Sequence, residues 1–512
     1  MNPAVGKAGD PRADSYDVVV VGAGLAGLVA AGMLAKSGRT VLVVDQADGP
    51  GGYAHGFQRG PYTFDPAVHV LADGPFVNIL FEHLGHPEPC NFIRVNAFYE
   101  GHFPDGHSFR APLGFEEYLD AHLAGFPHQE QELRSFLRLA AQVHHEAHQL
   151  PPQLSLKELD AAAARFPTLF ESQKLTLGEV MDAHLTDERL KAVCSALWPY
   201  PGLPPSRVSF LTLSQILNVH LAGAYYVEGS FQRLADAFAA ALENLGGELV
   251  LGRRIDKITV EDGSAAGVVL DDGEVVRAPV VVSNADALRT FEELVGEEHL
   301  PESLLRRVRR MEPSTSAFVV FGATKLDLAE LDVAHETFLY KHWDHDETYR
   351  DVLEGRPGGM WMNTPTIADP SLAPPGEHIV IFTALAPYDR PWEQERERYA
   401  TELVREFDAV VPGLSESVEV LETATPVTLE RFALNQGGAN YGWANTPRQT
   451  ESRRLSHVTP IKGLFLAGHW TQPGTGSIRV IVSGLHTAII VIAMAGEQPP
   501  MLRREADMPP VW

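Results

Sequence analysis

Three separated blocks of the chain set short, strand-like apolar runs beside helical ones. In the first, residues 16–21 (YDVVVV) are β-branched and carry no charge after Asp17, a pattern that predicts a strand buried on both faces. The run leads straight into Gly22-Ala23-Gly24-Leu25-Ala26-Gly27. A helical stretch, LVAAGMLAKSG, follows and ends at Gly38, and a second buried strand over 40–44 stops at Asp45. The second block, 225–286, joins AYYVEGS to a helical pattern, FQRLADAFAAALENLGG, and then to two strand-like runs, ELVLGRRIDKITVED and GVVLDDGEVVRAPVVVSNAD. Asp271-Asp272-Gly273 is a hairpin-turn signal within it. The third block, 463–495, reads as a strand (GLFLAG), a loop (HWTQPGTGS) and a helix (IRVIVSGLHTAIIVIAMAG).

Between the blocks the character changes. Residues 91–224 are predicted to be mostly helical, with Leu133, Phe136, Leu137, Ala140 and Ala141 on one apolar stripe. Residues 301–450 mix strand-like runs (SAFVVFGAT, EHIVIFTALA) with a helix around 393–411. The pattern predicts an α/β protein. Its interrupted Rossmann-type nucleotide domain is assembled from 15–90, 225–300 and 451–496. A substrate domain of α+β character is inserted as 91–224 and 301–450, and 1–14 and 497–512 read as flexible termini.

With 41 Lys+Arg against 67 Asp+Glu, the 512-residue chain has a formal charge of −26. No basic run of five or more exists, so a nucleic-acid partner is not expected: binding phosphate backbones relies on clustered cations. Anionic membranes would repel the chain on average, leaving room for a transient peripheral contact through a local patch. Cys90 and Cys194 are too few for a disulfide scaffold and fit a reducing compartment. Residues 1–15 lack the apolar core of a signal peptide. The apolar runs at 18–21 and 488–495 fall short of the roughly 20 residues of a membrane span. A cytoplasmic protein of unspecified oligomeric state is expected.

The first block carries chemistry. Gly22 permits a tight turn, Gly24 lets backbone approach a pyrophosphate, and Gly27 lets the helix pack closely on its strand. The helix N-terminus offers unpaired N–H groups and a partial positive charge to phosphates. Asp45 is placed to accept hydrogen bonds from both ribose hydroxyls, and an acid there repels a 2′-phosphate, disfavouring NADP. On residue pattern alone NAD and FAD both stay open.

The three blocks in this order resemble the phytoene desaturase and carotenoid isomerase family of FAD-dependent oxidoreductases, with flavin amine oxidases sharing the architecture more remotely. The likeness spans about 15–496 and rests on four stretches. These are DVVVVGAGLAGLVAAGMLAKSGRTVLVVDQADGPGG; GPYTFDPAVHVL; LGGELVLGRRIDKITVEDGSAAGVVLDDGEVVRAPVVVSNAD; and TPVTLERFALNQGGANYGWANTP with GLFLAGHWTQPGTGSIRVIVSG. The resemblance implies FAD as cofactor. By it, Gly22, Gly24 and Gly27 hold the pyrophosphate and Asp45 the adenosine ribose. Gly51 and Gly52 lie toward the flavin phosphate, Ile255 presents backbone to adenine, and Gly468, His469, Ser477 and Ile478 line the flavin or ribityl end. It also implies desaturation of a long apolar polyene or isoprenoid, free or carrier-tethered, by hydride transfer to flavin N5. Redox-neutral cis–trans isomerisation of a polyene by reduced FAD is the alternative; amine oxidation and a non-enzymatic flavoprotein are more distant ones.

Four positions depart from the family pattern: His469 after the C-terminal Ala-Gly, Ala67 in the second stretch, Gly229-Ser230 for Gly-Gly, and Asp45 where many relatives carry Glu. His69 is a candidate catalytic or orienting residue, as is Tyr441. Tyr225, Tyr226 and Trp443 are candidate substrate-lining aromatics, and the apolar stretch 206–226 is a candidate tunnel wall. His144 and His148 share a helix face, but no third ligand is placed by sequence, so no metal is expected.

Overall fold

Val18–Val21 forms the centre of a parallel sheet because four consecutive valines leave neither face suited to water. The computed structural model describes residues 7–8, 11, 13–86, 90–150 and 156–499, so the expectation of flexible termini falls largely outside it. The strands run in the order Lys7–Ala8, Glu248–Leu251, Val41–Asp45, Val18–Val21, Val280–Ser283, Leu464–Leu466. All five pairings are parallel, with Val18 opposite both Val41 and Val280. From Val18–Val21 the chain steps outward on one side and returns through Val280–Ser283 on the other. The strand order therefore reverses between these two strands, which is where open α/β sheets bind ligands.

Helix Leu25–Lys36 packs against both Phe231–Asn244 and Ser477–Met494. The second contact is backbone on backbone: a Cβ at Gly484 would lie 2.3 Å from the Ala26 carbonyl oxygen. Among the described residues, Ser477–Met494 is the helix long and apolar enough to cross a membrane, and half of it is buried inside the protein. Its hydrophobicity is thereby used in packing. A small antiparallel sheet, Ile255–Glu261, Ser264–Leu270 and Val275–Arg277, packs on one face of the parallel sheet, turning at Asp271–Gly273.

The second layer is a seven-stranded sheet in the order Glu419–Ala424, Ser316–Thr324, His378–Ala386, Met360–Asn363, Glu336–Leu339, Tyr99–His102, Ser108–Ala111. It joins the two inserted stretches through the parallel pair of Glu336–Leu339 with Tyr99–His102. Helix Glu130–His148 buries the stripe from Leu133 to Ala141 against Phe210–Ala222. The region 91–224 is less uniformly helical than its pattern predicts, since Phe92–Arg94, Tyr99–His102 and Ser108–Ala111 are strands. Runs of three or four residues carry too little periodicity to specify a strand, and distant partners decide the first two: Ala224–Val227 pairs with Phe92–Arg94, and Glu336–Leu339 with Tyr99–His102.

Candidate functional site

The carboxyl ends of the central strands open into a cavity of about 2020 Å³ that extends to the face of the second sheet. Pockets for drug-sized ligands reach roughly 1,000 Å³, so this one has room for a dinucleotide and a second molecule. At the first end it is lined by Gly22, Gly24, Asp45, Gly51 and Gly52, with Ile255 closing the far wall. Gly22 has φ +96°, and Gly24 caps the first helix with no side-chain bond to its leading N–H groups. Gly27 does not line the cavity. A Cβ there would lie 2.1 Å from the Gly22 carbonyl oxygen, so its hydrogen lets the helix rest on the strand end.

Asp45 Oδ2 accepts from the Ala23 N–H (2.6 Å) and Oδ1 from the Ala47 N–H (2.8 Å). The acid thereby fixes the glycine turn, while each oxygen retains acceptor capacity toward the cavity. Burial pushes its pKa up, and the two backbone bonds and His55 oppose the shift. A Cβ-free cradle, unpaired helical N–H groups and an acid with spare lone pairs fit the pyrophosphate and ribose of a dinucleotide.

At the other end, Gly468, His469, Ser477 and Ile478 line the cavity. Helix Ser477–Met494 starts after Gly476 (φ +107°), again without a side-chain cap. The close contact at Gly484 thus brings a second bare helix N-terminus to the same space. The His469 ring lies edge-on to Trp470 at 5.4 Å and tilted to Tyr53 at 5.9 Å. Burial, with a smaller push from Arg454, lowers its pKa to about 3, so the ring is neutral.

His69 also lines the cavity; its carbonyl accepts from His335 Nε2 (2.9 Å), and burial lowers its own pKa to about 3. The ring is neutral and able to accept or donate one hydrogen bond, and Nδ1 has no partner among the described residues. Tyr441 lines the cavity with its hydroxyl donating to the Pro199 carbonyl (3.2 Å), so that proton is held structurally. Three aromatics stand elsewhere. Tyr226 is fully buried and donates to Asp65, whose other oxygen accepts from the Phe231 N–H (3.0 Å), pinning a helix start. Tyr225 pairs in strand Ala224–Val227 beside Phe92, and Trp443 packs edge-on to Trp470 at 4.7 Å. None of Tyr225, Tyr226 or Trp443 lines the cavity. The Tyr225 ring packs beside Phe92, and core packing buries Tyr226 and Trp443, so the apolar surface that marks them in sequence is used away from the cavity. Of the stretch 206–226, Gln215, Ile216, Val219 and His220 reach the cavity.

A family model for flavin-containing amine oxidoreductases matches residues 25–492. The chain belongs to that family. It is 29% identical to prolycopene isomerase 2, chloroplastic, of an Oncidium hybrid cultivar, covering 95% of this chain and 85% of the relative. It is 30% identical to the phytoene dehydrogenase of Streptomyces griseus, covering 91% and 93%. Cyclohexylamine oxidase from Brevibacterium oxydans has the same fold, with TM-score 0.61 at 18% identity over 94% of this chain and 99% of that one. The protein is therefore a flavin-dependent oxidoreductase of the amine oxidoreductase family, related to carotenoid desaturases and isomerases.

Within this flavoprotein frame, three features escape a reading of the sequence. Asn284 follows strand Val280–Ser283 at the switch point, where a Cβ on Gly24 would lie 2.6 Å from its Nδ2 and one on Gly468 would lie 2.5 Å from its Oδ1. Its position at a strand end was the available signal. Arg454 is buried, with Nε donating to the His469 carbonyl (2.9 Å) and Nη2 to those of Tyr441 (2.8 Å) and Trp443 (2.9 Å). It ties the 440–445 loop to the strand end carrying His469. The third is the sheet wall: Ala317, Val319, Phe321, Glu336, Trp361 and Thr383 line the cavity from four different strands. Alternation in each strand was visible, but not which strands meet.

Proposed function

We propose that this protein is an FAD-dependent oxidoreductase that desaturates a long polyene or isoprenoid chain. One observation carries the reading: a single cavity runs from a glycine cradle of dinucleotide type to a mainly apolar sheet wall. Bound FAD supplies the two-electron redox chemistry, and the protein positions the substrate beside it. Gly22, Gly24 and Asp45 would hold the adenosine half, and Gly468, Ser477 and Ile478 the other half. Ala317, Val319, Phe321 and Ile216 exclude water from the reacting carbons. His69 and His469, both kept neutral by burial, place no positive charge beside an apolar chain.

Redox-neutral isomerisation of a conjugated polyene is the second reading, favoured by the likeness to prolycopene isomerases over 95% of the chain. An anaerobic absorbance spectrum of the purified holoenzyme mixed with a polyene tests both. Bleaching of the oxidised flavin band as the polyene gains a double bond supports desaturation. A change of polyene geometry without change of mass, seen with pre-reduced enzyme alone, supports isomerisation. A protein that retains no FAD, or FAD that is reduced by amines and by no polyene, overturns both.

A further inference from the structure

The sheet wall is not uniformly apolar. Register places Trp361 opposite Thr383 on one side and opposite Phe338 on the other, with Asn363 and Glu336 paired in the next row of the same face. Glu336 is thus a diagonal neighbour of Trp361, a separation of roughly 7–8 Å between backbones. Tyr200 closes over them, its ring edge-on to Trp361 at 6.2 Å and to Phe338 at 5.2 Å. Glu336, Trp361 and Thr383 are 1%, 6% and 4% exposed. Tyr200, Glu336, Trp361 and Thr383 all line the cavity.

Their polar atoms are unspent. Glu336 Oε1 accepts from Asn363 Nδ2 (2.6 Å), while Oε2 has no partner among the described residues. The same holds for Trp361 Nε1, Thr383 Oγ1 and the Tyr200 hydroxyl. These four polar atoms are already shut off from water without a hydrogen bond in its place, which native interiors avoid, and a pure hydrocarbon laid on this face would return a bond to none of them. The indole is a donor only, and the hydroxyls of Tyr200 and Thr383 donate readily. The set therefore suits an acceptor oxygen better than an ammonium group.

We propose that the substrate is an oxygenated polyene or isoprenoid, whose carbonyl or hydroxyl oxygen is seated among Glu336, Trp361, Thr383 and Tyr200. This rests on the polyene reading above and narrows its substrate class. The same patch orients the chain, since one fixed end decides which carbons reach the redox centre.

The test uses FAD-loaded enzyme and three probes of one carbon skeleton: all-trans-retinal, all-trans-retinol and the deoxygenated hydrocarbon. Binding is read by quenching of tryptophan fluorescence, with turnover followed separately. Retinal or retinol should bind at least tenfold tighter than the hydrocarbon, about 1.4 kcal/mol. Glu336→Leu should shrink that preference to under threefold, and Glu336→Gln, which keeps one acceptor and one donor, should retain it. Equal binding and turnover of all three probes overturns the proposal and leaves the polyene reading standing. An unchanged preference in Glu336→Leu overturns it too, as does loss of FAD from that variant, which would assign the patch to the cofactor. Failure of all three probes to bind, with an amine reducing the flavin, overturns this proposal and the polyene reading together.

Discussion

Two glycines of the first helix, five residues apart, should respond oppositely to the same added methyl group. At Gly27 the new Cβ would stand 2.1 Å from the Gly22 carbonyl oxygen, a backbone atom with no side-chain torsion to relieve it. Restoring an ordinary contact of about 3.4 Å needs the helix N-terminus to move by roughly 1.3 Å, directly beneath the cofactor cradle. Overpacking of this kind costs about 1–3 kcal/mol or more, which outweighs the ~1 kcal/mol that alanine gains over glycine in a helix. At Gly32 the nearest atoms are the Leu84 methyls at 3.4 and 3.5 Å, an ordinary contact with the flexible end of a side chain. Gly32→Ala should therefore be neutral or stabilising by up to about 1 kcal/mol. Gly27→Ala should lower the melting temperature and weaken FAD binding at least tenfold, about 1.4 kcal/mol. Thermal melts of holoenzyme and flavin content after extensive dialysis measure both effects. The account of Gly27 is wrong if its alanine variant melts no lower than Gly32→Ala and keeps a full complement of flavin.

Three further outcomes are expected. Ser230 holds φ +93° and ψ 164°, a region nearly reserved for glycine, while its hydroxyl caps the next helix by a 3.3 Å bond from the Gln232 N–H. Relief of strain should exceed the lost cap, so Ser230→Gly should stabilise by about 1 kcal/mol in chemical denaturation. Burial pushes the Glu336 pKa from 4.5 to about 8, so the folded state keeps a proton that the unfolded chain releases. That contribution is complete below about pH 4.5 and is lost as pH rises to about 8; stability should fall across this window in wild type relative to Glu336→Gln, by a few kcal/mol in all. Parallel pH–stability curves for the two proteins would refute the burial argument. Arg454→Met removes the donors that bind the carbonyls of His469, Tyr441 and Trp443 and leaves those buried oxygens short of partners. With a buried acceptor left unpaired costing about 1–3 kcal/mol, a loss of roughly 3 kcal/mol or more and faster flavin release are expected by denaturation and dialysis.

The first 45 residues determine much by themselves. Val18–Val21 and the glycine turn are contiguous and act through their own backbone, and Asp45 ends the next strand with its carboxylate bonded back to the turn, so turn, helix start and acid are legible from local order. The return of the chain in two later blocks is legible for the same reason, because a buried parallel strand is a short apolar run wherever it falls, VVV at 280–282 and LFL at 464–466. Aromatic content misleads at Tyr225, Tyr226 and Trp443, since sequence reports that a side chain is apolar and not which surface buries it. Tertiary structure alone decided that Asn284 meets Gly24 and Gly468, residues brought together from three strand ends. It alone put Glu336, Trp361 and Thr383 on one face: side chains alternate with period two, so a one-residue change of register in any of those strands would have turned them away. Local order writes the glycine cradle, and long-range register writes the mainly apolar wall of the cavity.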